Sequence, residues 1–290
     1  MRRTFLAIGV VGVWLAAVGP ALATFPGANG RIAYDTASPG SLYVIHTILP
    51  SGHADKTLVP GYLPSWSPSG QRIVFTRAVN GQAEIYSMAA DGDDMRRLTH
   101  SQFNDVGPSY APGGNRILFT KTGNAVPRVM TMRRDGSDLR TLGTGVASEW
   151  SPDRKWVAFI VGRTPKHRPS IWVMRPDGTD RHRLLFLGSQ GGSGPHYSPA
   201  GRNLIFTRCG GDCRAFVAKS DGSNVRPLSC SPGYFYGASA PTYSPDGRRL
   251  LGETSALQVV TLPLHSCSAK VVATGADGSI VPAWQPLPTP

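Results

Sequence analysis

The sequence predicts an all-β protein, a six-bladed β-propeller of four-stranded antiparallel blades, on three observations. A seven-residue phrase, first complete as P-S-W-S-P-S-G from Pro64 to Gly70, returns from Pro108, Ser148, Pro195 and Pro241 and, cut short, from Pro282. Its aromatic residues, Trp66, Tyr110, Trp150, Tyr197, Tyr243 and Trp284, stand 44, 40, 47, 46 and 41 residues apart, and a self-similar period in that range marks a propeller or array. The 34 Gly and 25 Pro of the 290 residues suit a chain with many tight turns, and 40% hydrophobic residues can fill a core.

Each element of one unit follows from its residues. Leu63 to Ser67 is a short inner strand ending at S-P-S-G, where Pro presets one φ and Gly accepts an unusual one. Arg72 to Arg77 is the second strand, with Ile73, Val74 and Phe75 as a β-rich apolar run. Asn80-Gly81 favours a two-residue hairpin into Glu84 to Met88. Asp91-Gly92 makes the next hairpin, and Met95 to Thr99 is the outer strand. Later units repeat the third strand and its turn: Val129 to Met132 before Asp135-Gly136, Ile171 to Met174 before Asp177-Gly178, and Phe216 to Lys219 before Asp221-Gly222. In the last full unit, Leu257 to Leu262 is a strand but Leu264 to Cys267 replaces the Asp-Gly turn. The D-G-D-D and D-G-S-D runs lack the spacing and closing Glu of an EF-hand, so hairpin turns account for them without a metal.

The two ends complete the count. Asn29 to Tyr34 matches the segment that follows the phrase elsewhere, and Leu42 to His46 and Lys56 to Val59 supply two more strands. This unit lacks an inner strand, and Pro282 to Pro286 is an inner strand lacking the rest. Joined, they make a sixth blade and leave no open sheet edge between the ends of the array.

The phrase P-x-[WY]-S-P-D-G, followed by R-I-x-F, I-Y-x-M-x-x-D-G and R-x-L-T, resembles the PD40 (WD40-like) repeat of the TolB-type six-bladed propeller across essentially all of residues 24–290. Departures are local: Ala111 and Gln285 replace Ser, and Arg154 replaces Gly. The resemblance implies that loops between second and third strands share one end of the propeller with the connections into each inner strand. Prolyl-oligopeptidase-type enzymes pair a related propeller with a hydrolase domain, but no G-x-S-x-G nucleophile elbow occurs here.

Residues 1–23 resemble an export signal: Arg2 and Arg3, an apolar stretch from Ala7 to Ala17, and Ala21-Leu22-Ala23 as a small-residue cleavage site. R-R-T-F-L also suits the twin-arginine route, beside Sec export. The stretch is short for a membrane span, so a secreted or cell-envelope (periplasmic) location with no stable span is expected. Four cysteines agree with an oxidising compartment. Cys209 and Cys213 flank Gly-Gly-Asp, Cys230 and Cys267 remain, and sequence leaves the pairing open.

Thirty Lys and Arg against 18 acidic residues give a net charge of +12. The loops between second and third strands carry Arg77, Lys121, Arg128, Arg163, Lys166, Arg168, Arg208 and Arg214, with Asp212 the clear acid among them. A rim of one sign can gather anionic ligands, and its alternative is a solvated loop set in a basic protein. Aligned inner-strand positions read Ser65, Ser109, Glu149, His196, Thr242 and Ala283. Glu149 and His196, on neighbouring blades, could bind a metal or move protons, or pack as polar groups beside the aromatic anchors. Tyr234 and Tyr236, before the fifth inner strand, could stack on a sugar or a partner side chain or plug the channel.

Two functions compete. One is an exported non-enzymatic propeller that binds a protein or an anionic cell-surface polymer on its basic loop face, with no cofactor, no metal and no catalytic residue. The other is a polysaccharide-acting enzyme, lyase or hydrolase in type, using the Glu149–His196 region. The seven histidines scatter over different loops and strands, which favours binding. Nucleic acid is not expected as a partner, because the chain reads as exported and lacks a recognition motif.

Overall fold

The computed structural model describes residues 25–37, 43–123, 126–162, 168–210, 213–228, 240–254, 256–266, 268–274 and 282–288. They form six four-stranded antiparallel sheets. The first blade runs, from its inner to its outer strand, β24 (Ala283–Leu287), β1 (Ala28–Thr36), β2 (Val44–Ile48) and β3 (Lys56–Pro60). The second is β4 (Tyr62–Trp66), β5 (Arg72–Val79), β6 (Gln82–Ala89) and β7 (Arg96–Arg97). The third is β8 (Asn104–Tyr110), β9 (Arg116–Thr122), β10 (Arg128–Arg133) and β11 (Arg140–Thr144). The fourth is β12 (Val146–Trp150), β13 (Val157–Val161), β14 (Ser170–Met174) and β15 (His182–Phe186). The fifth is β16 (His196–Tyr197), β17 (Asn203–Cys209), β18 (Cys213–Lys219) and β19 (Arg226–Pro227). The sixth is β20 (Thr242–Tyr243), β21 (Arg249–Glu253), β22 (Gln258–Pro263) and β23 (Lys270–Thr274). Among the described residues no helix is long and apolar enough to cross a membrane.

The repeated phrase is a turn with a specific serine. Ser67, Ser151, Ser198 and Ser244 each accept, through Oγ, the backbone N–H five residues on, at 2.9–3.1 Å. The bond closes the S-P-x-G turn and launches the second strand at a fixed angle. Gly70, Gly114, Gly201 and Gly247 take φ near +70°, and Arg154 takes +63° in the same place. A left-handed conformation costs a non-glycine residue roughly 1 kcal/mol.

The Asp-Gly turns behave alike. Asp91, Asp135, Asp177 and Asp221 each accept, through Oδ1, the N–H two residues on, at 2.8–3.1 Å. At the following position Asp94, Asp138, Asp180 and Asn224 all sit near φ +50°. These carboxylates are engaged in turn hydrogen bonding.

All six aromatic anchors are buried, from Trp66 at 1% exposure to Trp150 at 6%. Each fills a seam between blades. Trp66 packs with Ala33, Ile45 and Ala283 of the first blade and Phe75 and Met88 of its own, and its indole donates to the Ala283 carbonyl at 3.3 Å.

The first blade contains strands from both ends of the chain. In it β1 pairs with β24 at Ala28↔Leu287, Asn29↔Pro286, Ile32↔Trp284 and Ala33↔Ala283. Gln285 stands where four of the other five blades carry serine, and its Oε1 accepts the Arg31 N–H at 2.8 Å. The amide thus does from the C-terminal strand what Ser67 Oγ does for Arg72. Its Nε2 also donates to the Gly70 carbonyl at 2.8 Å, joining the first blade to the second.

Candidate functional site

The hairpin loops between second and third strands open at one end of the propeller, beside the connections into the inner strands. Arg168, Arg208 and Arg214 all belong to this end, at the fourth and fifth blades. Arg208, half-buried, lies over the rings of Phe206 and Phe216 at 5.5 and 5.0 Å and donates from Nε to the Phe186 carbonyl at 3.0 Å. Burial lowers the pKa of its guanidinium, although an arginine so placed stays charged. Arg214 is exposed and stands directly across the ladder from Arg208, and Cys209 faces Cys213 one step further on. These two cysteines form a disulfide across the hairpin. Cys230 and Cys267 lie outside the described residues.

Arg168 comes to the same corner through β14 and β15. Ser170 is in register with Phe186, Leu187 N–H donates to the Pro169 carbonyl at 2.9 Å, and Ser170 Oγ donates to the Arg168 carbonyl at 2.7 Å. Phe186 is 44% exposed, with the Arg183 guanidinium 4.3 Å from its ring centroid. The corner therefore presents an exposed aromatic ring with one guanidinium against it and a second on its backbone carbonyl. Phe186 and Arg183 were not predicted as site residues. The signal lay in the repeats, since the other five-residue outer strands end in Pro60, Thr144 and Thr274, and only this one ends in a large apolar residue.

The remaining predicted cations are dispersed. Arg77 extends over the Tyr86 ring at 5.7 Å, with Nη1 3.2 Å from Met95 Sδ. Arg128 is exposed opposite Lys121 in the ladder. Lys121 itself turns inward: Nζ sits 2.7 Å from Asp105 Oδ1, off the hydrogen-bonding line, and donates to Ser101 Oγ at 2.6 Å. Burial pushes the Asp105 carboxyl up, and Lys121 opposes that shift. Beside them the fully buried Glu84 accepts from Arg97 at 2.8 Å, Thr99 at 2.5 Å and Ser101 N–H at 2.9 Å. Burial works against ionisation of Glu84, but these bonds outweigh it and its pKa falls below the usual value. Buried Glu84 and Asp105 thus lie in the strands at this end, and Lys121 is taken up by Asp105 rather than presented to a ligand. Arg163, Lys166, Tyr234 and Tyr236 lie outside the described residues.

Glu149 and His196 do meet. His196 Nδ1 lies 2.6 Å from Glu149 Oε2, and Tyr197 N–H donates to Glu149 Oε1 at 2.9 Å. Both side chains are buried. With both oxygens held by donors of the next blade, the carboxylate straps the inner strand β12 to β16. Burial, then the nearby Glu149 charge, raises the Tyr197 phenol pKa. Replacing Glu149 by Ala would leave the His196 ring and the Tyr197 N–H unpaired. We expect a loss of about 2 kcal/mol in urea melts, and a loss below about 0.5 kcal/mol would show that the pair is no strap.

Comparison with known proteins places this geometry. Residues 31–145 match the PD40 family model, described as the TolB beta propeller domain. An uncharacterized protein of Agrobacterium fabrum is 28% identical over 198 residues, which is 65% of this chain and 53% of that protein. The chain thus spans about half the length of that curated relative. Among solved structures, TolB from Acinetobacter baumannii superposes with a TM-score of 0.76 at 21% identity, over 89% of this chain and 67% of that one. A chain of a nidogen/laminin complex gives 0.68 at 14% identity, over 88% and 99% of the two chains. Hydrazine synthase of Kuenenia stuttgartiensis gives 0.71 at 12%, over 91% and 48%. At these identities the fold is what is shared, and one propeller serves in both a complex and an enzyme, so function has to be argued from the site.

Proposed function

We propose that this TolB-like six-bladed propeller, built from PD40-type repeats, is an exported, non-enzymatic binding protein. It takes a protein or an anionic cell-envelope ligand on its loop end, around Arg168, Arg208 and Arg214. The observation that carries this reading is the Arg208–Arg214 pair. Two guanidiniums directly opposite on a ladder repel one another, and here a disulfide in the next rung keeps the hairpin that holds them closed. Aromatic rings and the Phe186 carbonyl hold Arg208 in place. An incoming carboxylate or phosphate relieves that repulsion, and the exposed Phe186 adds apolar contact area to a protein partner. Engagement of Glu149 and His196 with each other leaves the channel without a free acid–base pair at that point, which weighs against the enzyme alternative.

Export rests on residues 1–23 as a signal and on the disulfide, which fits an oxidising compartment. The test is a pull-down of the secreted protein from its own detergent-solubilised envelope. Reversal of Arg168 and Arg214 to Glu should weaken capture at about 50 mM salt several-fold more than reversal of Arg133 and Arg134, and capture by the native protein should fall towards about 300 mM as the Debye length shrinks and the attraction loses its range. Equal losses from both pairs would show that net charge alone matters and would sink the loop-end assignment.

A further inference from the structure

The opposite end of the propeller collects the S-P-x-G turns and the Asp-Gly turns of the blades. In each S-P-x-G turn the residue after the glycine position exposes its side chain to solvent. The carbonyls of Gln71, Asn115, Arg202 and Arg248 accept N–H groups from Ala90, Arg134, Ser220 and Leu264 at 2.9–3.0 Å. Lys155 holds the same position in the fourth blade, and all five side chains are exposed. The second and third blades place neutral amides there, whereas the fourth, fifth and sixth place Lys155, Arg202 and Arg248.

Charge accumulates on that half. The fourth blade sets Arg154, Lys155, Arg175 and Arg181 against Asp153, Asp177 and Asp180, the fifth sets Arg202, Lys219 and Arg226 against Asp221, and the sixth sets Arg248, Arg249 and Lys270 against Asp246. Among the described residues, Arg154, Arg202, Arg226 and Arg248 have no ion-pair partner, and Lys155 reaches Asp153 only at 4.0 Å. Arg154 adds a cation at φ +63°, where the repeat elsewhere uses glycine.

The fourth blade departs from the pattern once more. Arg72 and Arg116 open the second strands of their blades and bind Asp94 and Asp138 at 2.8 and 2.7 Å. At this position the fourth blade has Trp156, partly exposed, with Arg175 stacked 4.4 Å above the ring and His182 against its edge at 5.5 Å. Asp180 faces both Arg175 and His182, at 3.4 and 3.5 Å. The half-exposed indole under Arg175, with the exposed Arg154 and Lys155 beside it in the chain, is therefore what suits a water–lipid boundary, where an amphipathic ring and basic side chains act together. A soluble polyanion would use the charges and give the indole no role.

We propose that this turn end, from Arg154 to Arg248 across the fourth to sixth blades, docks on an anionic lipid bilayer surface. Docking this way leaves the loop end with Arg168, Arg208 and Arg214 facing away from the lipid. Basic side chains at such a surface act additively over a Debye length, so several small contributions give salt-sensitive, reversible attachment.

The test is flotation of the purified full chain with phosphatidylcholine vesicles, with and without roughly a quarter phosphatidylglycerol. The native protein should float only with the anionic vesicles and at low salt. Lys155→Glu, Arg202→Glu and Arg248→Glu together should lower partitioning at least about tenfold. The matched control, Lys56→Glu, Arg77→Glu and Arg128→Glu, carries the same charge change outside both the fourth to sixth blades and the Arg168, Arg208 and Arg214 cluster, and should stay within about twofold of native. A melting curve for each variant confirms folding, and Trp156→Phe, which removes the indole N–H, should lower partitioning without changing the salt dependence. Equal losses from both triplets, no flotation of the native protein, or binding to soluble polyglutamate as strong as to vesicles would each overturn the proposal.

Discussion

Replacing Trp150 by Ala is expected to cost about 3–5 kcal/mol, the range for emptying a large aromatic site in a packed core. Trp150 is 6% exposed and packs with Ala111, Leu118 and Val129 of the third blade and Val157, Phe159 and Met174 of its own. The cavity would therefore open in a seam between two sheets, and each sheet is fixed by its own hydrogen-bond ladder, which limits collapse around the void. Among the described residues Trp150 Nε1 has no hydrogen-bond partner. Trp150→Phe then loses volume without orphaning a second polar group and should cost clearly less than the alanine variant. Urea melts at constant m would measure both. A loss below about 1 kcal/mol for the alanine variant would mean that the seam relaxes freely and that the anchors do not hold the blades together.

The fold was legible because its information is local and repeated. Each S-P-x-G and Asp-Gly turn is closed by bonds spanning two to five residues, so the turns could be predicted from single segments and confirmed against the other copies. Outer strands were harder. Met95 to Thr99 was expected as a strand, but β7 spans only Arg96–Arg97, because Thr99 turns away to donate to the buried Glu84. Gln285 looked like a defect in the phrase, yet it replaces the serine bond across the two ends of the chain. No local pattern announces that, since the partners are joined only by closure.

The candidate site was partly legible for the same reason. Arg208 and Arg214 flank a short Cys-to-Cys segment, so hairpin pairing was predictable, and Glu149 and His196 were found by aligning inner strands. The character of the rim was not predictable. Lys121 reads as a loop cation until Asp105, sixteen residues earlier on the neighbouring strand, is seen to face it. Buried acids of this kind sit inside strands with no sequence mark beyond an interrupted apolar run. The basic turn end was missed because its cations are spaced a whole blade apart, and only the fold puts Lys155, Arg202 and Arg248 side by side.

Deleting residues 282–290 is expected to have the largest effect of any change considered. The deletion removes β24, and with it the ladder to β1 and the Gln285 bonds to Arg31 and Gly70. It also removes Trp284, which packs with Ile32 and Tyr34 of the first blade and Leu251, Val259 and Val272 of the sixth. Trp66 loses the carbonyl of Ala283 that its indole uses. Two seams and one ladder are thus damaged at once, and β1 becomes an unpaired apolar edge of the kind that templates aggregation. Aggregation or loss of soluble protein is the expected outcome, read as soluble yield and a melting curve. Gln285→Ala is the finer probe: it keeps the strand and removes both side-chain bonds, at an expected cost of about 1–2 kcal/mol. A truncated protein with the soluble yield and melting curve of the native one would show that the first blade does not need its C-terminal strand, and the ring would then have to be held by the other five blades alone.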